Sequence, residues 1–230
     1  MQVEQRKTLT IFGVDRLDQL SKKPFNVITA GSSRGGTSAV AAVMRAFGLN
    51  MGANLHPTTH EDFDFANLAN YTVTDYNRWY SLIEDKASKC AGWSLKLPAA
   101  LTMLHAFENA MPNPLYVIVV RNPFSVARSL VNRDETYGRS MLDYFHGYSH
   151  AIAMYADCFR DIGMVKGAFA ICEYEQILAK PEIFVHEFAT LCNLTPSEEM
   201  LRSAVDLVSS PGYKTVECPG VALVPYGVNS

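Results

Sequence analysis

Glycine, hydroxyl and positive charge are concentrated in one short stretch, Gly31-Ser32-Ser33-Arg34-Gly35-Gly36-Thr37-Ser38. The chemistry this composition suits is anion binding. Glycines let consecutive backbone N–H groups turn inward with no Cβ in the way, and a helix starting there adds unpaired amides and a partial positive charge. The hydroxyls of Thr37 and Ser38 and the guanidinium of Arg34 add side-chain donors to the same turn. A glycine-rich turn with no ligand is the plainer alternative.

The spacing satisfies half of the nucleoside-triphosphate pattern, in which Gly, four residues, Gly, Lys and Ser or Thr follow one another. Gly31 and Gly36 are correctly spaced, but Thr37 stands in the lysine position and the cation is Arg34, inside the loop. A triphosphate with its magnesium would lack its usual lysine. A ligand with a single terminal charged group could still be clamped by Arg34.

A second cation, Arg121, ends the apolar run 115–120, with Ser129 eight residues further on. Its planar fork suits a phosphate bidentately, and the serine hydroxyl could join it. Pairing with helix carbonyls or an acidic neighbour is the plainer reading of Arg121. For proton transfer the segment His56-Pro57-Thr58-Thr59-His60-Glu61-Asp62 supplies carboxylate and imidazole in a breaker-rich loop, or else an acidic helix start. His146, His150 and Asp143 have ligand-like helical spacing, but two histidines do not complete a zinc shell, so no metal site is expected. The aromatics Trp79, Tyr80, Tyr144, Phe145 and Tyr148 read first as core.

The elements that must position these groups alternate. Apolar, β-rich runs at 25–30, 91–97, 115–120 and 168–173 predict strands. Helical periodicity is predicted over 39–47, 61–69, 75–89, 99–110, 124–131, 141–162, 181–192 and 196–208. Strands alternating with helices argue for an α/β fold, a P-loop-type, doubly wound, mostly parallel sheet flanked by helices, with ligands at the carboxyl ends of the strands. The chain reads as one domain: an N-terminal extension over 1–24 with one short helix packed on an edge, a core over 25–195, and a loop-like tail over 209–230.

Composition bounds the rest. The 230 residues, 48% of them apolar, suit a folded domain, and a net charge of −3 without a basic stripe gives nucleic-acid binding no support. No apolar run reaches the roughly 18 residues of a membrane span, and residues 1–7 are polar with no signal core behind them, so the expected address is the cytoplasm. Cysteines at 90, 158, 172, 192 and 218 form no CxxC pair and read as reduced thiols.

Together, Gly31 to Ser38 and Arg121-Asn122-Pro123-Phe124-Ser125-Val126-Ala127-Arg128-Ser129 resemble the two anion motifs of the P-loop sulfotransferases that use 3′-phosphoadenosine 5′-phosphosulfate. Leu95-Lys96-Leu97-Pro98 resembles that family's lysine-containing segment, and Tyr174-Glu175-Gln176-Ile177-Leu178 its Tyr-Glu-Asp-Leu segment. The resemblance spans residues 25–195. It implies that Ser33, Arg34, Gly35, Gly36, Thr37 and Ser38 hold the 5′-phosphosulfate, that Arg121 and Ser129 hold the 3′-phosphate, and that Tyr174 lies near the adenine. It further implies that Arg34 stabilises charge on the bridging oxygen as the sulfuryl group departs, that Lys96 acts on the sulfuryl oxygens, and that Glu61, ahead of His60 and His56, is the base. The product would be adenosine 3′,5′-bisphosphate, the acceptor a small molecule with a hydroxyl or amine, and no metal would be required. The chain departs from the family at Gly35, at Ser125 and at Pro98, which stands where cytosolic members carry a catalytic histidine. A P-loop kinase and an inactive phosphonucleotide-binding protein are the alternatives.

Overall fold

The structure, a computed structural model, describes residues 2–20, 26–71, 76–89, 92–111, 113–133 and 140–210. Among them, strands β1 (Val3–Gln5), β2 (Leu9–Phe12), β3 (Asn26–Gly31), β4 (Leu95–Lys96), β5 (Pro114–Val120) and β6 (Ala168–Glu173) form one sheet in the order β1-β2-β6-β5-β3-β4. β6, β5, β3 and β4 run parallel, and the hairpin β1–β2 joins β6 antiparallel. From β3 the chain reaches β4 on one side and then crosses back to β5 on the other. The switch point of the doubly wound sheet therefore lies between the carboxyl ends of β3 and β5.

Both faces of the parallel strands are covered, which is why β3 and β5 are apolar nearly throughout. Side chains alternate between two cores. Val27, Leu115, Val117 and Val119 face helices α2 (Thr37–Ala46), α9 (Pro181–Leu191) and α10 (Glu198–Ser209), packing with Val40, Met44, Phe184, Phe188 and Val208. Ile28, Ala30, Tyr116 and Ile118 face the opposite way, toward Phe65 of α3 (Phe63–Tyr71), Trp79 of α4 (Tyr76–Lys89) and Phe107 of α5 (Leu104–Ala110). Each large aromatic so buried contributes about 3 kcal/mol relative to exposure. α6 (Pro123–Arg133) leaves β5, and α7 (Met141–Ile162) crosses it before β6; α8 (Tyr174–Ala179) follows β6 directly.

The predicted core elements are present with shifted bounds. The strand expected over 91–97 contracts to Leu95–Lys96, because Gly92 is in the left-handed region and Pro98 starts a 3₁₀ turn, Pro98–Thr102. The helix expected over 99–110 is interrupted at Met103, whose extended φ of −143° separates that turn from α5. The N-terminal extension holds more than its predicted helix, α1 (Val14–Leu20): β1 and β2 add two strands to the sheet. Phe12 stacks on Phe169 at 4.6 Å between centroids, and the Glu187 carboxylate accepts the Lys7 and Thr8 amides, pinning the hairpin turn to α9. Phe145, counted among the core aromatics, is 55% exposed. Cys158, Cys172 and Cys192 are buried free thiols, while Cys90, Cys218 and the tail from 211 lie outside the described residues.

The α6–α7 crossing depends on a missing side chain. A Cβ at Gly147 would come within 3.1 Å of Ala127 Cα and 3.2 Å of its Cβ. Gly147→Val is therefore expected to destabilise the fold by about 1–3 kcal/mol through overpacking, read as a lower denaturant midpoint at unchanged slope. An unchanged midpoint would mean that the two helices separate freely at this point.

Candidate active site

β3 and β5 pair in register up to Gly31 and Val119. The loop after Gly31 and the residue Arg121, two beyond Val119, consequently leave the sheet side by side at the switch point. The turn closes with the Gly35 amide donating to the Ser32 carbonyl at 2.8 Å. Arg34 is held at φ 65° and Gly36 at φ 95°. Gly36 is required twice: by that backbone, and because a Cβ there would fall 2.1 Å from the Tyr174 ring. α2 begins at Thr37 with no side chain capping its first amides, so its positive end is left to the crevice.

A cavity of about 370 Å³ opens over this loop, within the size range of small-molecule sites. Ser33, Arg34, Gly36, Thr37, Ser38 and Ala39 line it from the loop and α2, and Thr59, Glu61, Lys96, Pro98, Arg121 and Tyr174 complete the wall. Of the residues to which the resemblance gives a role, Gly35, Ser129, His56 and His60 do not line it. Ser129 is tied to its wall, since its Oγ accepts from Arg34 Nε at 3.1 Å.

The cations meet at two points. Arg121 donates from a terminal nitrogen to the Arg34 carbonyl at 2.8 Å, and its guanidinium carbon lies 4.9 Å from the centroid of the Tyr174 ring. Its Nε is buried with no hydrogen-bond partner among the described residues. Lys96, at the end of β4 and only 2% exposed, places Nζ 2.5 Å from Glu61 Oε1. Burial pulls the Lys96 ammonium below its ordinary value, Glu61 opposes the shift and the Arg34 charge adds to it. Burial likewise lowers Arg34. Two cations that each resist desolvation around one crevice make it a place for an anion.

Glu61 is aimed by its neighbours. The segment 54–63 folds back on itself, with Leu55 and Asp62 bridged and the His56 amide on the Glu61 carbonyl at 2.8 Å. On one side of Glu61, His60 is fully buried, and Arg45 donates to its Nδ1 at 2.9 Å. Arginine has no acceptor, so that nitrogen carries a lone pair and His60 is the Nε2-protonated neutral tautomer. Its lone pair is thereby taken, which removes His60 from the candidate bases. On the other side, Asp62 is buried, receives Lys86 at 2.9 Å and caps α3 through the Asp64 amide at 2.9 Å. Burial raises the Asp62 carboxyl, against the pull of Lys86. His56 Nδ1 accepts from the Thr58 and Thr59 amides at 3.2 Å and so serves the turn. Of the proposed bases, Glu61 alone lines the cavity.

Asp143 is not grouped with His146 and His150 as a ligand: it closes a capping box with Ser140 at the start of α7. Among the described residues no three His, Cys, Asp or Glu side chains converge.

The sequence reading missed Tyr155, whose hydroxyl joins the loop to Arg121. Its signal was present, since Gly147, Ala151, Cys158 and Ile162, all buried, mark the inward face of α7 on which Tyr155 also lies. Periodicity gives the face and leaves the partner unspecified.

Comparison with solved structures supplies relatives in fold. Sulfotransferase STF9 from Mycobacterium avium aligns with a TM-score of 0.54 at 13% identity, over 85% of this chain and 71% of that one. The sulfotransferase domain from the curacin biosynthetic pathway aligns at 0.50 and 15% identity over 90% of this chain and 95% of that one. That of the Synechococcus PCC 7002 olefin synthase aligns at 0.50 and 17% identity, over 82% of each. No family model matches the chain, and no curated protein matches its sequence. At these identities the likeness is one of fold.

Proposed function

We propose that this protein is a sulfotransferase, moving a sulfuryl group from 3′-phosphoadenosine 5′-phosphosulfate to a hydroxyl or amine of a small acceptor. The observation that carries the reading is the pairing of two anion anchors at one switch point: the uncapped loop-helix junction at Gly36–Thr37 and, beside it, the cation Arg121, whose buried Nε has no partner among the described residues. The likeness in fold to proteins that are themselves named sulfotransferases supports it.

The residues fit such a donor. Amides of the loop and the hydroxyls of Thr37 and Ser38 would hold the 5′-phosphosulfate, and Arg121 with Ser129 the 3′-phosphate. Tyr174, packed between Gly36 and Arg121, would bound the nucleotide. When bound, the donor supplies a singly charged sulfuryl group whose in-line displacement asks mainly for positioning and charge stabilisation, as in loose phosphoryl transfer. Glu61 would accept the acceptor's proton, replacing the histidine that Pro98 displaces. Lys96, 2.5 Å away, would hold that carboxylate in place and present positive charge to the sulfuryl oxygens.

The test is calorimetric titration with adenosine 3′,5′-bisphosphate, adenosine 5′-phosphate and magnesium ATP. The bisphosphate is expected to bind selectively, with a dissociation constant on the order of micromolar. Preference for magnesium ATP would replace this reading with a kinase, and tight bisphosphate binding without transfer to any acceptor would leave a binding protein.

A further inference from the structure

The two anion anchors belong to different strands, and a single side chain from a third element holds them together. Tyr155 of α7 brings its hydroxyl to the gap between the start of the glycine loop and the end of β5. The Arg121 amide donates to it at 2.8 Å, the hydroxyl lies 3.1 Å from the Arg121 carbonyl, and Ser32 Oγ is 3.0 Å away. A phenol has one proton, so the three contacts have one consistent assignment. Tyr155 donates to the Arg121 carbonyl and accepts from both the Arg121 amide and the Ser32 hydroxyl.

Both backbone groups of Arg121 are engaged by this one oxygen, just past the last ladder pair of β5 with β6, Val120 and Glu173. The Arg121 guanidinium is held at its own end by the Arg34 carbonyl and the Tyr174 ring. Backbone and side chain are thus separately tethered, the first to α7 and the second to the loop.

Resting on the sulfotransferase reading, we infer that Tyr155 is a positioning residue for donor selectivity: its hydroxyl sets the separation between the loop and Arg121, and so the distance between the two phosphate positions of the ligand. It touches neither phosphate. Its removal leaves the loop, α2 and the Arg121 charge in place and loosens the spacing between them. A ligand that spans both anchors then loses affinity, and a ligand that uses the loop alone does not.

The experiment is calorimetry of wild type, Tyr155→Phe, Ser32→Ala and the double variant against adenosine 3′,5′-bisphosphate and adenosine 5′-phosphate, with thermal midpoints recorded alongside. Phenylalanine keeps the ring and its packing. Tyr155→Phe is expected to weaken the bisphosphate about tenfold, as for a lost set of part-buried hydrogen bonds, and the monophosphate less than about twofold. Ser32→Ala shows a smaller drop in the same ratio. The double variant matches Tyr155→Phe, because the oxygen that Ser32 meets is already gone. A Tyr155→Phe protein with the wild-type ratio, or one that loses both ligands in proportion, would overturn the inference while leaving the sulfotransferase reading intact. Absence of bisphosphate preference in wild type would remove both.

Discussion

An Arg34→Ala variant is expected to turn over on the order of 10²-fold or more slowly, with little change in the donor concentration needed for half-maximal rate. Arg34 lines the cavity between Ser33 and Gly36, and burial makes its charge count for more than it would in water. A charge that acts mainly as the sulfuryl group departs appears in the turnover number. The backbone is not the confounding factor, since arginine and alanine are both side-chain-bearing residues at φ 65° and carry a similar conformational cost there. Formation of adenosine 3′,5′-bisphosphate under single-turnover conditions measures it. Arg34→Lys, which keeps the charge and gives up the Nε contact to Ser129, should recover part of the rate. Turnover unchanged in Arg34→Ala would assign charge stabilisation to Lys96 and the loop amides.

Arg121→Ala is expected to act on binding. Loss of a charge-assisted, forked contact costs about 2–3 kcal/mol, or roughly 30- to 150-fold in affinity for the bisphosphate. Affinity for adenosine 5′-phosphate should fall much less, through the lost contacts to the Arg34 carbonyl and the Tyr174 ring. The ratio of the two constants is the informative quantity. Equal losses for both ligands would show that Arg121 supports the loop and does not meet a 3′-phosphate.

What the sequence made legible follows from how local each signal is. The loop at 31–38 and the strand 115–120 are read from contiguous residues whose composition admits few alternatives, and both are found with nearly the expected bounds. Arg121 was legible because a strand end in a doubly wound sheet already implies a crevice. The N-terminal hairpin was obscured by length: Val3–Gln5 and Leu9–Phe12 are too short for alternation to stand out, and β6, on which the second of them pairs, lies more than 150 residues away. His60 shows the same limit at a site. As a residue type it is a credible base, and only the pairing with Arg45, fifteen positions earlier, reveals that its lone pair is spent. The aim of Glu61 depends on that pairing and on Asp62 with Lys86, contacts between separate elements that no window of sequence contains.

The sheet order has a bearing on how copies of this chain can meet. Among the described residues its two outer strands are β1, three residues long with the Glu4–Arg6 ion pair at its C-terminal end, and β4, two residues long. Strand-by-strand growth from one molecule to the next requires an outer strand long enough to template another, and short, charged margins are a device that discourages it. The long β5 and β6, which would serve as such templates, are enclosed between neighbours on both sides. Growth of a continuous intermolecular sheet from either of these margins is therefore disfavoured by the order of the strands.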